Sequence, residues 1–124
     1  MRIQLVFEEC DLLLKISGWT AVLTQRRNIK IPYTSIENVQ VGHFKYPWTA
    51  IKKTGIATSS YKAGLFIIDG DKYFLSFNDA DNVVTLDLKG FEFDKIVIEI
   101  EDRKQLANEL LTRCSSIKSV QTNL

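Results

Sequence analysis

Apolar residues at every second position recur along most of this chain, a period that makes strands with one face turned to a core. Ile3, Leu5 and Phe7 alternate with Gln4 and Val6, and Leu12, Leu14 and Ile16 repeat the pattern around Leu13 and Lys15. Ser17-Gly18 then supplies a turn, and Trp19-Thr20-Ala21-Val22-Leu23-Thr24 reads as a further strand. Ile29 and Ile31 flank Lys30 before Pro32, which cannot donate to a ladder and so marks a strand end or a sheet edge. Ile36, Val39 and Val41 form a weaker segment closed by Gly42.

The second half reads as a meander of antiparallel strands. Asp69-Gly70 lies between Leu65–Ile68 and Tyr73–Phe77, and both turn residues tolerate positive φ, as a two-residue hairpin requires. Asn78–Asn82 makes the next turn into Val84, Leu86 and Leu88, and Lys89-Gly90 turns again toward Ile96, Ile98 and Ile100. The period then changes once. Asp102 can cap a helix whose apolar face carries Leu106, Ala107, Leu110, Leu111, Cys114 and Ile117. One amphipathic helix is not stable alone in water, so it must dock on the sheet.

At 124 residues the chain has the size of one domain, expected over residues 1–118, with 119–124 as a frayed tail. The fold class is mainly β: a small antiparallel barrel or sandwich with one C-terminal α-helix. Sixteen Lys and Arg against fifteen Asp and Glu leave +1, without the basic excess of a nucleic-acid binder, so no nucleic acid is expected as a partner. The first residues turn acidic too early for a signal peptide, and no apolar run has transmembrane length. The expectation is a cytoplasmic protein with Cys10 and Cys114 as reduced thiols, a disulfide between them being the alternative.

Three segments resemble bacterial pleckstrin-homology-like (PH-like) domains: Arg27–Val39, Tyr61–Phe66 and Phe93–Glu99. The likeness extends over roughly residues 11 to 114, and its motifs are loose and structural. It implies a strongly bent PH-like barrel of about seven strands capped by a C-terminal helix, in agreement with the periodicity. It carries over no catalytic residues. Phosphoinositide-binding relatives in eukaryotes have basic residues around the first hairpin and a tryptophan in the last helix. Here that hairpin has only Lys15-Ile16-Ser17-Gly18, and Trp19 and Trp48 both precede the helix, so inositol-phosphate recognition is not implied.

Chemistry-bearing motifs are sparse. His43 is the one imidazole and lies at a strand end, where a hydrogen-bonded histidine is ordinary, and Cys10, His43 and Cys114 lack metal-ligand spacing. Asp69-Gly70-Asp71 and Asp79-Ala80-Asp81-Asn82 do not complete a calcium loop and suit turns that need no metal. The reading is a non-enzymatic binding or scaffold module with no catalytic, cofactor or metal residues. Two alternatives stay open: a self-assembling structural domain joined through complementary charged faces, and a small enzyme using a carboxylate or lysine site.

Charge is the unusual signal. Residues 25–68 hold Arg26, Arg27, Lys30, Lys45, Lys52, Lys53 and Lys62 against Glu37 alone, a net of +6, which leaves −5 for the rest. Within this basic stretch, residues 43–61 are the longest without clean alternation, and long irregular segments are often functional. Phe44, Tyr46 and Trp48 interleave there with Lys45, Lys52 and Lys53, and these six are the candidate partner-binding residues. A loop of this kind suits an anionic or protein partner, a weakly bound anionic membrane surface among them, while self-association would use the complementary charged faces. The bland alternative folds Phe44 and Trp48 back into the barrel mouth and leaves the lysines merely solvated.

Overall fold

In the computed structural model, residues 2–18, 27–59, 61–113 and 119–123 are described. A small antiparallel sheet is formed by β1 (Arg2–Phe7), β2 (Asp11–Ser17) and β3 (Asn28–Pro32), in that order. Its alternation is the one expected: Leu12, Leu14, Ile16, Ile29 and Ile31 are buried, while Lys15, Asn28 and Lys30 are exposed. Pro32 ends β3, the last strand in this order, so its missing N–H costs no ladder bond there. The strand expected at 19–24 lies outside the described residues.

A 3₁₀ turn at Tyr33–Ser35 leads into the large sheet, built of β4 (Ile36–Gly42), β5 (Ile51–Ala57), β6 (Lys62–Ile68), β7 (Asp71–Phe77), β8 (Val83–Leu88), β9 (Lys95–Glu99) and β10 (Ser119–Asn123). Its spatial order is β10-β4-β8-β9-β7-β6-β5. The protein is thus mainly β in two sheets, with more strands than the seven expected and no closure of the large sheet into a barrel among the described residues.

The antiparallel meander holds only in part. Asp69 and Gly70 do make the two-residue turn, both at positive φ, and pair β6 with β7. But β9 inserts between β7 and β8, parallel to β7 and antiparallel to β8. Residues 78–82 therefore form an arch over the end of β9 instead of a hairpin. Glu99, at that end, accepts the Asn78 and Asp79 amides through Oε1 at 2.7 and 2.9 Å, so one carboxylate holds the arch. Residues 119–123, expected as frayed tail, form β10 parallel to β4.

Two apolar clusters flank the large sheet. The first lies between the sheets and contains Leu12, Leu14, Ile29 and Ile31 from the small sheet, with Val39, Phe74, Val84, Leu86, Ile96 and Ile98 from the large one. Helix α1 (Arg103–Arg113) closes it with Leu106, Ala107 and Leu110. Asp102 caps this helix as expected, its Oδ1 accepting the Gln105 amide at 3.2 Å. Leu111, expected on the buried face, is half exposed because it falls on the flank of the stripe set by Leu106 and Leu110. Cys114 and Ile117, and with Cys114 the disulfide alternative, lie outside the described residues.

The second cluster occupies the opposite face of the large sheet: Phe66, Ile68, Tyr73, Leu75, Phe77, Val83 and Val97. Here β7 is buried on both faces from Tyr73 to Phe77. Something must cover the second face, and the cover is the segment between β4 and β5, which contributes Phe44, Tyr46 and Ala50.

Candidate functional site

The segment 43–61 is only partly irregular. Residues 51–57 are strand β5, the outer strand of the large sheet, and the sequence hid it because Ile51 to Thr54 are all exposed and so show no alternation. A bulge at Lys53 breaks its register with β6, since Lys52 pairs with Phe66 and Thr54 with Leu65. Farther along, Gly55 faces Gly64 with both at positive φ, and the backbones touch: a Cβ on Gly64 would lie 2.1 Å from the Thr54 oxygen. Only glycine fits that approach.

Residues 43–50 then form a short loop with an inward and an outward set. Phe44 is fixed by its amide, which donates to the Ala80 oxygen at 2.9 Å, and by ring contacts to Phe77 at 5.8 Å and Tyr73 at 6.1 Å. Tyr46 meets Phe66 edge-on at 5.9 Å, and burial raises its phenol pKa above the ordinary value. Both rings belong to the cover of the second cluster. Between them and β5, the Ala50 amide donates to the Pro47 oxygen at 3.2 Å and closes a turn with Trp48 and Thr49 at its tip. Trp48 is 94% exposed, Ile51 beside it is 57% exposed, and Lys45, Lys52 and Lys53 are exposed as well.

The six candidates therefore divide. Phe44 and Tyr46 are anchors, whereas Trp48, Lys45, Lys52 and Lys53 stand outward around one turn and the start of an outer strand. The expectation that Phe44 folds back agrees with this geometry, and the same expectation for Trp48 does not. A ring of Trp48's size, held on an anchored turn with almost no protein contact, is unusual for a soluble surface.

Two features escaped the sequence reading. Ile51 adds an aliphatic side chain next to Trp48. Lys62 is only 6% exposed; its ammonium donates to the Thr58 oxygen and lies 4.8 Å from the Tyr46 ring centre. The signal for the covering role was available in Tyr73–Phe77, where large apolar residues fall on both alternating faces with only Ser76 polar, so the strand needs a partner on each face.

The remaining polar groups are held in the scaffold. His43 Nδ1 lies 2.6 Å from Asp81 Oδ1, exposed to solvent. Asp79 accepts the Asp81 amide at 2.9 Å and the Asn82 side-chain amide at 2.5 Å, which occupies the carboxylate that suggested calcium. A cavity of about 1170 Å³ lies where Ile3 and Leu5 approach Glu99, Asp102 and Arg103. Its Glu99 holds the arch, its Asp102 caps α1, and its Arg103 donates to Asn82 Oδ1 at 2.8 Å. No group of three His, Cys, Asp or Glu suited to a metal occurs among the described residues, and none of their helices is long and apolar enough to cross a membrane.

Comparison with protein-family models, with curated proteins and with solved structures finds no match for this chain.

Proposed function

We propose that this chain is a non-enzymatic binding module of bacterial PH-like type, which docks on anionic membrane surfaces through the 45–53 segment. One observation carries the reading: Trp48 stands 94% exposed on an anchored turn, with the exposed Lys45, Lys52 and Lys53 on the same short segment. Indole rings favour the headgroup level of a bilayer, where an apolar body and a polar N–H are both satisfied. The ammonium groups of the same segment meet the lipid phosphates. A strand-rich chain with one helix near its C-terminal end supports the PH-like assignment, although the strand β10 follows that helix. A binding role is favoured over catalysis because two of the three carboxylates lining the cavity of about 1170 Å³, Glu99 and Asp102, are engaged by backbone amides.

Self-assembly through β5 is disfavoured by the same residues. Lys52, Lys53 and the bulge at Lys53 are devices that block strand addition by a like-charged copy.

Each lysine near an anionic bilayer contributes about 1 kcal/mol, so the three together are worth about 3 kcal/mol, on the order of a hundredfold in partition. Cosedimentation with vesicles of phosphatidylcholine and phosphatidylglycerol tests this at low and moderate salt. The expected result is salt-sensitive binding that the Lys45, Lys52, Lys53 triple alanine variant loses. Equal, negligible binding by both proteins removes the membrane reading and leaves a protein partner.

A further inference from the structure

A cavity of about 400 Å³ opens beside the docking segment, between the loop after β4 and the 78–82 arch. His43, Phe44, Lys45, Tyr46, Lys62 and Phe77 line it, together with the arch. Lys62 is the unusual member. Its side chain is buried, yet no carboxylate lies within ion-pair distance of it among the described residues. A carbonyl oxygen and the face of a tyrosine ring are its partners, and an ammonium has three N–H donors. A buried charge is ordinarily met by an opposite one.

The acidic residue on the wall does not supply that charge. Asp79 spends both carboxylate oxygens on its own turn, accepting from Asp81 and Asn82. Asp81 faces His43 and is exposed. Lys45, by contrast, stands at the cavity as a second cation. The walls therefore carry two ammonium groups, Lys45 and Lys62, against the single carboxylate of Asp79, together with the rings of Phe44, Tyr46 and Phe77.

We infer that this cavity is a binding site for a phosphate group, with Lys62 as its buried counter-charge and Lys45 closing over it from the mouth. Charge-assisted N–H···O bonds from two ammonium groups suit a phosphate oxygen cluster. The volume leaves room for a small organic part against the Phe44 and Tyr46 rings. The phosphate comes either from a lipid headgroup reached while Trp48 is in the bilayer or from a soluble phosphate ester. The first source rests on the membrane reading, and the second does not.

The test is a titration of the full chain with inorganic phosphate at constant ionic strength, read by NMR at the lysine side chains and the tyrosine rings. Saturable shifts confined to Lys62, Lys45 and Tyr46 are expected. Lys62→Met keeps the aliphatic stem and removes the charge, and it should weaken phosphate by about tenfold or more. Lys15→Ala, on the exposed face of β2 and away from the cavity, should not. Non-saturating shifts spread over all exposed lysines overturn the site on the wild-type protein alone, whether or not Lys62→Met folds. Unchanged affinity in a folded Lys62→Met also overturns it. Vesicles containing phosphatidic acid separate the sources: competition between vesicles and phosphate assigns the lipid headgroup, and independent binding assigns a soluble ester. Vesicle binding without phosphate binding refutes the cavity and spares the membrane reading; phosphate binding without vesicle binding does the reverse.

Discussion

Replacing Trp48 by alanine separates a docking ring from a core ring, because the two roles predict opposite pairs of results. At 94% exposure the indole contributes almost nothing to the folded state, so Trp48→Ala should change the unfolding free energy by less than about 0.5 kcal/mol. A tryptophan offers roughly 200 Å² of surface. If half of it leaves water on docking, about 100 Å² at about 25 cal/mol per Å² gives about 2.5 kcal/mol. Vesicle partition should then fall by on the order of fifty- to a hundredfold. Urea unfolding measures the first quantity, and cosedimentation with anionic vesicles measures the second without the overlapping signal of Trp19. A stability loss above about 1 kcal/mol, or partition equal to wild type, refutes the reasoning. Phe44→Ala is the informative contrast: it removes ring contacts to Tyr73 and Phe77, so it should lower stability by about 2 kcal/mol or more.

Gly64→Ala should destabilise by about 3 kcal/mol or more, since the new Cβ would meet the Thr54 oxygen at 2.1 Å and force β5 off β6; hydrogen exchange should show the loss concentrated in β5 amides. Asp102→Ala should cost about 1 kcal/mol by orphaning the Gln105 amide, measured by thermal unfolding. Stability should also fall as the pH rises past about 10. Burial raises the Tyr46 and Tyr73 phenols, while burial alone would lower Lys95 but the Asp87 carboxylate at 3.3 Å, together with Tyr73 and Asp71, outweighs it and raises that group too. All three hold their protons more firmly folded than unfolded, so their contribution is full below the ordinary values of 10.0 and 10.5 and is lost above them. Urea midpoints from pH 8 to 11 read this, and a midpoint that rises over that range contradicts it.

Where a strand has one wet face, its sequence showed it plainly, as Leu12, Leu14 and Ile16 against Lys15 did. Strand β5 was invisible for the opposite reason: from Ile51 to Thr54 it has no dry residue, so burial left no imprint on residue choice. Pairing order was not legible either. The period of Ile96, Val97 and Ile98 says that β9 is buried on both faces but not which neighbours bury it. In the candidate site, the mix of rings and lysines at 44–53 marked the place, yet which rings turn inward depends on an uncovered face of the sheet. Phe44 and Tyr46 fill that face, and Trp48 lies beyond it. Lys62 was missed because its burial comes from a neighbouring loop, and nothing in Tyr61-Lys62-Ala63 announces it.

The insertion of β9 between β7 and β8 sets an order of events during synthesis. When residues 36–88 have left the ribosome, β5, β6 and β7 can already pair with one another, and β4 with β8, but no ladder joins these two pieces. Each then presents an open edge, one bearing Phe74 and Leu75 and the other Val84 and Leu86, until Lys95–Glu99 arrives and binds both at once. The nascent chain is therefore most adhesive just before its last quarter emerges, when two apolar edges wait for the same strand. Chains that stall or are cut at that point should be the ones that aggregate or need a chaperone. A strand five residues long is in this sense the clasp of the large sheet.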